Sequence, residues 1–198
     1  MKTVLVFATL ATFVMGQVMA QGEDKLTVGG WNKGDISLSA KFAYNSTKEG
    51  DNKENSFKVM PCLGVFVTDD IEIGGQLGYM STKYEVDGDE VDKYSTFSVG
   101  AYGNYYFSPK LQFTPFAGVN FDYMSTNYDT DDYKVTGFEG SLSVGFNYWL
   151  SDCFVLQASL GALGYSTTKP DFDGADSRNE FFTAFNTKRV RFGAAFRF

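Results

Sequence analysis

From residue 35 to the end, the chain repeats one pattern: apolar residues at every second position, with small or polar residues between them. Ile36, Leu38, Ala40, Phe42 and Tyr44 alternate with Ser37, Ser39 and Lys41. Phe138, Leu142, Val144, Phe146, Tyr148 and Leu150 alternate with Glu139, Ser141, Ser143, Gly145 and Asn147. The chain ends V-R-F-G-A-A-F-R-F, with Val190, Phe192, Ala194, Phe196 and Phe198 on one face and Arg191, Gly193, Ala195 and Arg197 on the other. A period of two is the signature of a β-strand with one apolar face. Counted this way, the pattern predicts eight strands, near 35–44, 56–68, 71–83, 94–107, 111–124, 134–150, 153–166 and 182–198.

Each predicted strand is about as long as the roughly 9–11 residues a tilted strand needs to cross a bilayer. The connections alternate in length. Residues 68–70, 108–110 and 151–153 read as tight turns; 45–55, 84–93, 125–133 and 167–181 read as long polar loops. The repeat Y-M-S-T-K-Y-E at 79–85, Y-M-S-T-N-Y-D at 123–129 and Y-S-T-T-K-P-D at 165–171 marks consecutive hairpins. Three positions fit badly. Pro61 and Pro115 lie inside strands, where each lacks a ladder donor, so a bulge is expected near each. Strict counting puts Tyr165 on the wrong face, so a register slip is expected near Gly161 or Gly164.

The apolar face carries almost no charge, while the other carries Gly, Ser, Asn, Gln and a few ions. A secreted soluble ligand-binding barrel would put the apolar face inside and a charged face outside. Gly and Ser on the polar face instead suggest a crowded interior, and an eight-stranded barrel is just wide enough for side chains to fill. Aromatic residues gather near the strand ends, as in the two interfacial girdles of membrane proteins. The fold expected is an all-β, eight-stranded, antiparallel up-and-down transmembrane β-barrel over 35–198, with its short turns and both termini in the periplasm.

Residues 1–20 read as a signal peptide: Lys2, an apolar run too short to span a membrane, then Val18 and Ala20 at a small-residue cleavage site before Gln21. Residues 21–34, polar and Gly-rich, read as a periplasmic lead-in. Cys62 and Cys153 fall on different strands at different heights and are expected to be free thiols.

The chain has no histidine, which disfavours the triads and dyads that use an imidazole to activate a nucleophile. With two separated cysteines, a zinc site is disfavoured too. No catalytic residue, metal or cofactor is implied. A net charge of −7 argues against nucleic acid as a partner. Most of the 24 acidic residues lie in the long loops, as solvated tips or as sites for divalent cations shared with lipopolysaccharide. Glu72, Asp122, Glu139, Arg189, Arg191 and Arg197 fall on the polar face, and buried charges must be paired. They are expected to form a lumen ion network, with Glu72 and Arg197 at the periplasmic rim and Glu139 with Arg189 or Arg191 at mid-height.

The stretches GVFVTDDIEIGGQLGY (64–79), NYYF (104–107) and NYWLSDCFVLQASLGALGYS (147–166) resemble the small outer-membrane β-barrel domain family, the OmpX/OmpA-like barrels. The terminal strand, with Val190, Phe192, Phe196 and Phe198, looks like the C-terminal signal read by the barrel-assembly machinery. The resemblance implies a porin-like cell-envelope protein in contact with outer-membrane lipid and lipopolysaccharide, as a monomer, with no enzymatic activity. It implies a structural or surface-interaction role with an unidentified surface ligand. A narrow channel or conduit for small or hydrophobic molecules is the alternative.

Overall fold

The computed structural model describes residues 29–198 apart from 88, 130–132, 173 and 184–189. The signal peptide, its cleavage site at Ala20 and Gln21, residues 21–28 and Arg189 lie outside the described residues. The strands are β1 (Ile36–Glu49), β2 (Asn52–Phe66), β3 (Ile71–Val86), β4 (Asp89–Tyr106), β5 (Phe113–Tyr128), β6 (Tyr133–Trp149), β7 (Phe154–Pro170), β8 (Arg178–Thr183) and β9 (Val190–Arg197). Each strand from β1 to β7 pairs antiparallel with the next. β8 and β9 both pair with β7, and β9 pairs with β1, so the wall closes as eight staves with the last written in two runs.

The apolar parity points outward. Phe138, Phe192 and Phe121 are 62%, 65% and 68% exposed, in company with Leu38, Leu63, Leu77, Val99 and Leu142. The opposite parity is buried: Ser37, Ser39, Gln76, Asn104, Asn120 and Asn147 line the interior with Met60, Tyr102 and Phe116. This is the reverse of a soluble barrel, and water would not support so continuous an apolar exterior.

The strands run well past the expected boundaries. β1 and β2 stay paired to Glu49 and Asn52, and β3 and β4 to Val86 and Asp89. The expected loops at 45–55 and 84–93 are therefore mostly strand, closed by short turns that use Gly50 (φ +62°) and Asp87 (φ +55°). Cross-strand ion pairs support the extensions, Lys53 with Glu85 at 3.3 Å and Lys93 with Asp129 at 3.7 Å.

The two prolines cause no register shift. The β2–β3 ladder loses its pairs at Met60 and Pro61 and resumes in the same register at Cys62 and Gln76. Pro115 accepts a hydrogen bond from the Phe107 amide, so its missing donor faces the place where β4 ends. The bulges lie elsewhere, at Tyr84/Glu85 and at Leu142/Ser143. The second inserts Ala162 opposite β6 and turns Tyr165 outward, where it is 50% exposed. Both cysteines are free: Cys62 is buried and Cys153 exposed in a short turn.

Candidate functional site

The interior is built in layers from the short-turn end. Gly29–Gly34 crosses that end and is held by all three short turns. Trp31 N–H donates to Pro109 O at 2.9 Å, and Gly34 N–H to Phe66 O at 2.8 Å. Gly29 N–H donates to Asp152 and Lys33 N–H to Asp69. The Lys110 ammonium donates to Trp31 O and to the Asn32 side chain, both at 2.6 Å. These contacts on Asp69, from Lys33 N–H first and then Lys110, hold its carboxyl below the usual carboxylate range.

The crossing places a fully buried Trp31 inside the barrel. Its ring stacks on Phe66 at 4.3 Å and meets Trp149 at 4.8 Å and Tyr106 at 6.2 Å. Gly29 (φ +80°) makes this possible, because a Cβ there would collide with the Trp149 ring. Arg197 completes the closure. It donates to Gly30 O, lies 3.8 Å from Asp35 and sits over the Trp149 ring at 5.2 Å.

Above this floor, the Glu72 carboxylate is 3% exposed and accepts four side-chain donors. Tyr102 OH reaches Oε1 at 2.8 Å, beside the Ser37 hydroxyl on the same oxygen. Tyr106 OH at 2.7 Å and Asn104 Nδ2 at 3.0 Å reach Oε2. Hydrogen bonds to an ionised carboxylate are among the stronger ones in proteins. Glu72 and Arg197 were expected as rim neighbours; each has partners of its own, and the carboxylate is held by neutral donors rather than by the arginine. The next layer sets the Lys41 ammonium over the Tyr102 ring at 5.1 Å. It joins Gln76 to Asp122 at 2.8 Å and Asn120 to Ser143 at 3.2 Å.

Asp122 lies opposite Glu139 in register, and Arg191 lies on the same inner face, level with Ser159. Glu139 and Arg191 are both engaged by neighbours. The interior glycines are filled space: a Cβ on Gly64 or Gly74 would strike Tyr102, on Gly100 Asp122, on Gly118 Asn104, and on Gly145 Phe116. Val190, Phe192 and Phe196 sit on the outward face of β9, and Phe198 exchanges backbone hydrogen bonds with Ile36.

At the long-hairpin end, four tyrosines form a ladder on the inner face of four consecutive strands. Tyr84 and Tyr94 are 6.0 Å apart, Tyr94 and Tyr128 5.2 Å, and Tyr128 and Tyr133 4.6 Å with nearly parallel rings. Burial first, then the neighbouring hydroxyls, push Tyr84 and Tyr128 above their ordinary pKa, so both present O–H donors. Sequence reasoning passed over this ladder, and also over Trp31, Asp35, Asp69 and Lys110. The one local signal for the floor was G-G-W-N-K-G, a lone large ring between glycines just before β1. Among the described residues no group of three or more acidic or thiol side chains is placed to hold a metal.

The family model described as the outer membrane protein beta-barrel domain matches residues 6–198. The fold is similar to Neisserial surface protein A (TM-score 0.53, 15% identity, covering 84% of this chain and 100% of that one). It is similar to the outer membrane protein OprG of Pseudomonas aeruginosa (TM-score 0.56, 13% identity, covering 86% and 99%). It is also similar to outer membrane protein W of E. coli (TM-score 0.53, 13% identity, covering 85% and 99%). These identities carry the fold alone. No curated protein matches the sequence.

Proposed function

The chain belongs to the outer membrane protein β-barrel domain family, and from that premise we propose a structural or surface-interaction role, with a lumen closed by its own side chains. In this reading the short turns and both termini are periplasmic, and the paired hairpins stand outside the cell. The barrel-assembly machinery reads β9 through Val190, Phe192, Phe196 and Phe198. The observation that carries the closed lumen is the stack of two sealed layers, the Trp31 floor and the Glu72 layer directly above it. Their rings and polar groups occupy the room the inner glycines leave. The tyrosine ladder then forms an aromatic surface at the outer mouth, suited to contact rather than passage. One structural neighbour is itself named a surface protein.

Two measurements test this. In planar bilayers the wild-type protein will give no steady conductance, because opening a path means separating Glu72 from its donors and withdrawing Trp31. Stable, salt-proportional single-channel steps would favour the conduit instead. On intact cells, a membrane-impermeant maleimide will label Lys48→Cys at the first hairpin tip and leave native Cys153 untouched until the outer membrane is permeabilised. Labelling of Cys153 on intact cells, with Lys48→Cys protected, would reverse the orientation.

A further inference from the structure

One pairing in the wall joins the two ends of the sheet. The described ladder between β1 and β9 runs from Ser37–Arg197 to Phe42–Phe192, while β1 and β2 are paired over the whole of β1. Ile36 and Phe198 extend that seam by a reciprocal pair of backbone hydrogen bonds at 2.9 and 3.0 Å.

Gly29–Gly34 lies across the seam. It is continuous with β1 through Asp35, and on that side Gly34 N–H donates to Phe66 O and Lys33 N–H to Asp69. Its other end reaches the far side. Gly29 N–H donates to Asp152 in the turn between β6 and β7, Trp31 meets Trp149 of β6, and Gly30 O accepts from the Arg197 guanidinium of β9. Asp35 ties the two sides together: its carboxylate accepts from Asn32 N–H at 2.8 Å and lies 3.8 Å from Arg197. Arg197 N–H donates to Cys153 O at 2.9 Å, so one residue holds the end of β9, the turn beside it and the crossing segment.

These partners come together only in the closed wall. Neighbouring strands are about 4.8 Å apart, so in a sheet of eight staves laid open at the seam β1 and β9 stand roughly 34 Å apart. Gly29–Gly34 can span at most about 20 Å. It then reaches Phe66 and Asp69 beside β1, but not Trp149, Asp152 and Arg197 together. We infer that Gly29–Gly34 is a strap that docks only on the closed barrel and locks its β1–β9 seam against opening. The inference goes beyond the role proposed above and holds for either orientation of the short turns. The strap's shape is set locally by G-G-W-N-K-G, whose glycines take φ of +80°, +110° and +93°, a region that other residues rarely adopt. Joining the two ends of the wall costs loop-closure entropy, and the strap's contacts offset part of that cost once the seam has formed. Contacts absent from the closing step slow opening without speeding folding.

The test is hydrogen–deuterium exchange, read by peptide mass, on the full mature chain refolded in detergent micelles. Folding of each variant is checked by its heat-modifiable mobility. Gly29→Val undocks the strap and leaves every wall residue in place, since a Cβ there would collide with the Trp149 ring. Exchange in peptides covering 35–42 and 190–198 will rise roughly tenfold or more, the effect of losing one or two net hydrogen bonds. Exchange over β3 and β4 will not change. Gly30→Val, whose Cβ would press on Lys110 Cα and Pro109 O at 3.2 Å, will act in the same way.

A covalent seam will cancel the effect. Ala40 and Ala194 face each other across it, and Ala40→Cys/Ala194→Cys, in a Cys153→Ser background, can be bridged by dibromobimane. With that bridge Gly29→Val will lose its excess exchange at the seam. With the bridge placed between β3 and β4 instead, at Gly75→Cys/Ala101→Cys, it will keep it. An equal rise in every strand, no rise at the seam, or an excess that survives the seam bridge would overturn the inference. Failure of both glycine variants to fold would overturn it too, because a strap that docks after closure is not needed to close the barrel.

Discussion

Leu142→Arg will sharply lower the yield of folded, membrane-inserted protein, while Ser141→Arg, one residue earlier, will fold at close to the wild-type yield. Leu142 is 46% exposed on the outward face. It shares its row with Val119 of β5 and Leu163 of β7, within the apolar band. A lysine or arginine on the lipid face near the bilayer midplane costs roughly 2–4 kcal/mol, against a net stability of about 5–15 kcal/mol for a typical domain. Ser141 is half-buried on the inner face, level with Asn120 and Gly164. Its neighbouring inner row holds Asp122 and Glu139, two carboxylates near which a guanidinium is favourable. The measurement is the heat-modifiable fraction after refolding into lipid vesicles. Equal yields from the two variants would mean that the two faces of β6 do not differ as the register requires.

That contrast between the two faces is why so much of the wall was legible from sequence. A lipid-facing position tolerates almost no charge, and an interior position in a narrow barrel has little room, so each residue's parity announces its side. The same logic flagged Tyr165, whose wrong parity pointed to the slip that the Leu142/Ser143 bulge supplies. The pattern ends where lipid ends. In the outer hairpins both faces are wet, so Lys53, Asn55, Glu85 and Asp92 carry no alternation although their backbones remain fully paired. Polar composition therefore read as loop. The prolines misled in a related way: a missing N–H removes one ladder bond, but the packed rows on either side still hold the register.

The interior was less legible, because its contacts join residues that are far apart in sequence. Charge alone suggested Glu72 beside Arg197. The sequence contains no sign that Tyr102, Tyr106, Asn104 and Ser37 converge on one carboxylate, since they come from two strands besides its own. The lead-in segment was equally opaque. Its polar composition hid that every short turn binds part of Gly29–Gly34, and that Trp31 is the ring around which the floor packs.

Glu72→Ala will lower stability more than the loss of any one of its donors. The substitution leaves the two tyrosine hydroxyls, the Asn104 amide and the Ser37 hydroxyl buried without their shared acceptor. A buried group stripped of its partner costs about 1–3 kcal/mol; even with partial repacking, several such groups amount to most of a typical stability. Tyr102→Phe removes one donor and leaves the carboxylate three others, so its cost will be about 1 kcal/mol. Glu72→Gln will fall between, since the amide keeps the shape and one acceptor oxygen but turns its other end into a donor facing donors. Removing partners together is cheaper than removing one alone. Adding Tyr102→Phe and Tyr106→Phe to Glu72→Ala will therefore recover part of the loss, a non-additivity expected of side chains sharing one network. Denaturant midpoints of the heat-modifiable band, measured in the same detergent for the wild type and these four variants, decide the order. A Glu72→Ala midpoint no lower than that of Tyr102→Phe, or a triple variant weaker than Glu72→Ala itself, would mean that this layer is held by ring packing and not by the carboxylate at its centre.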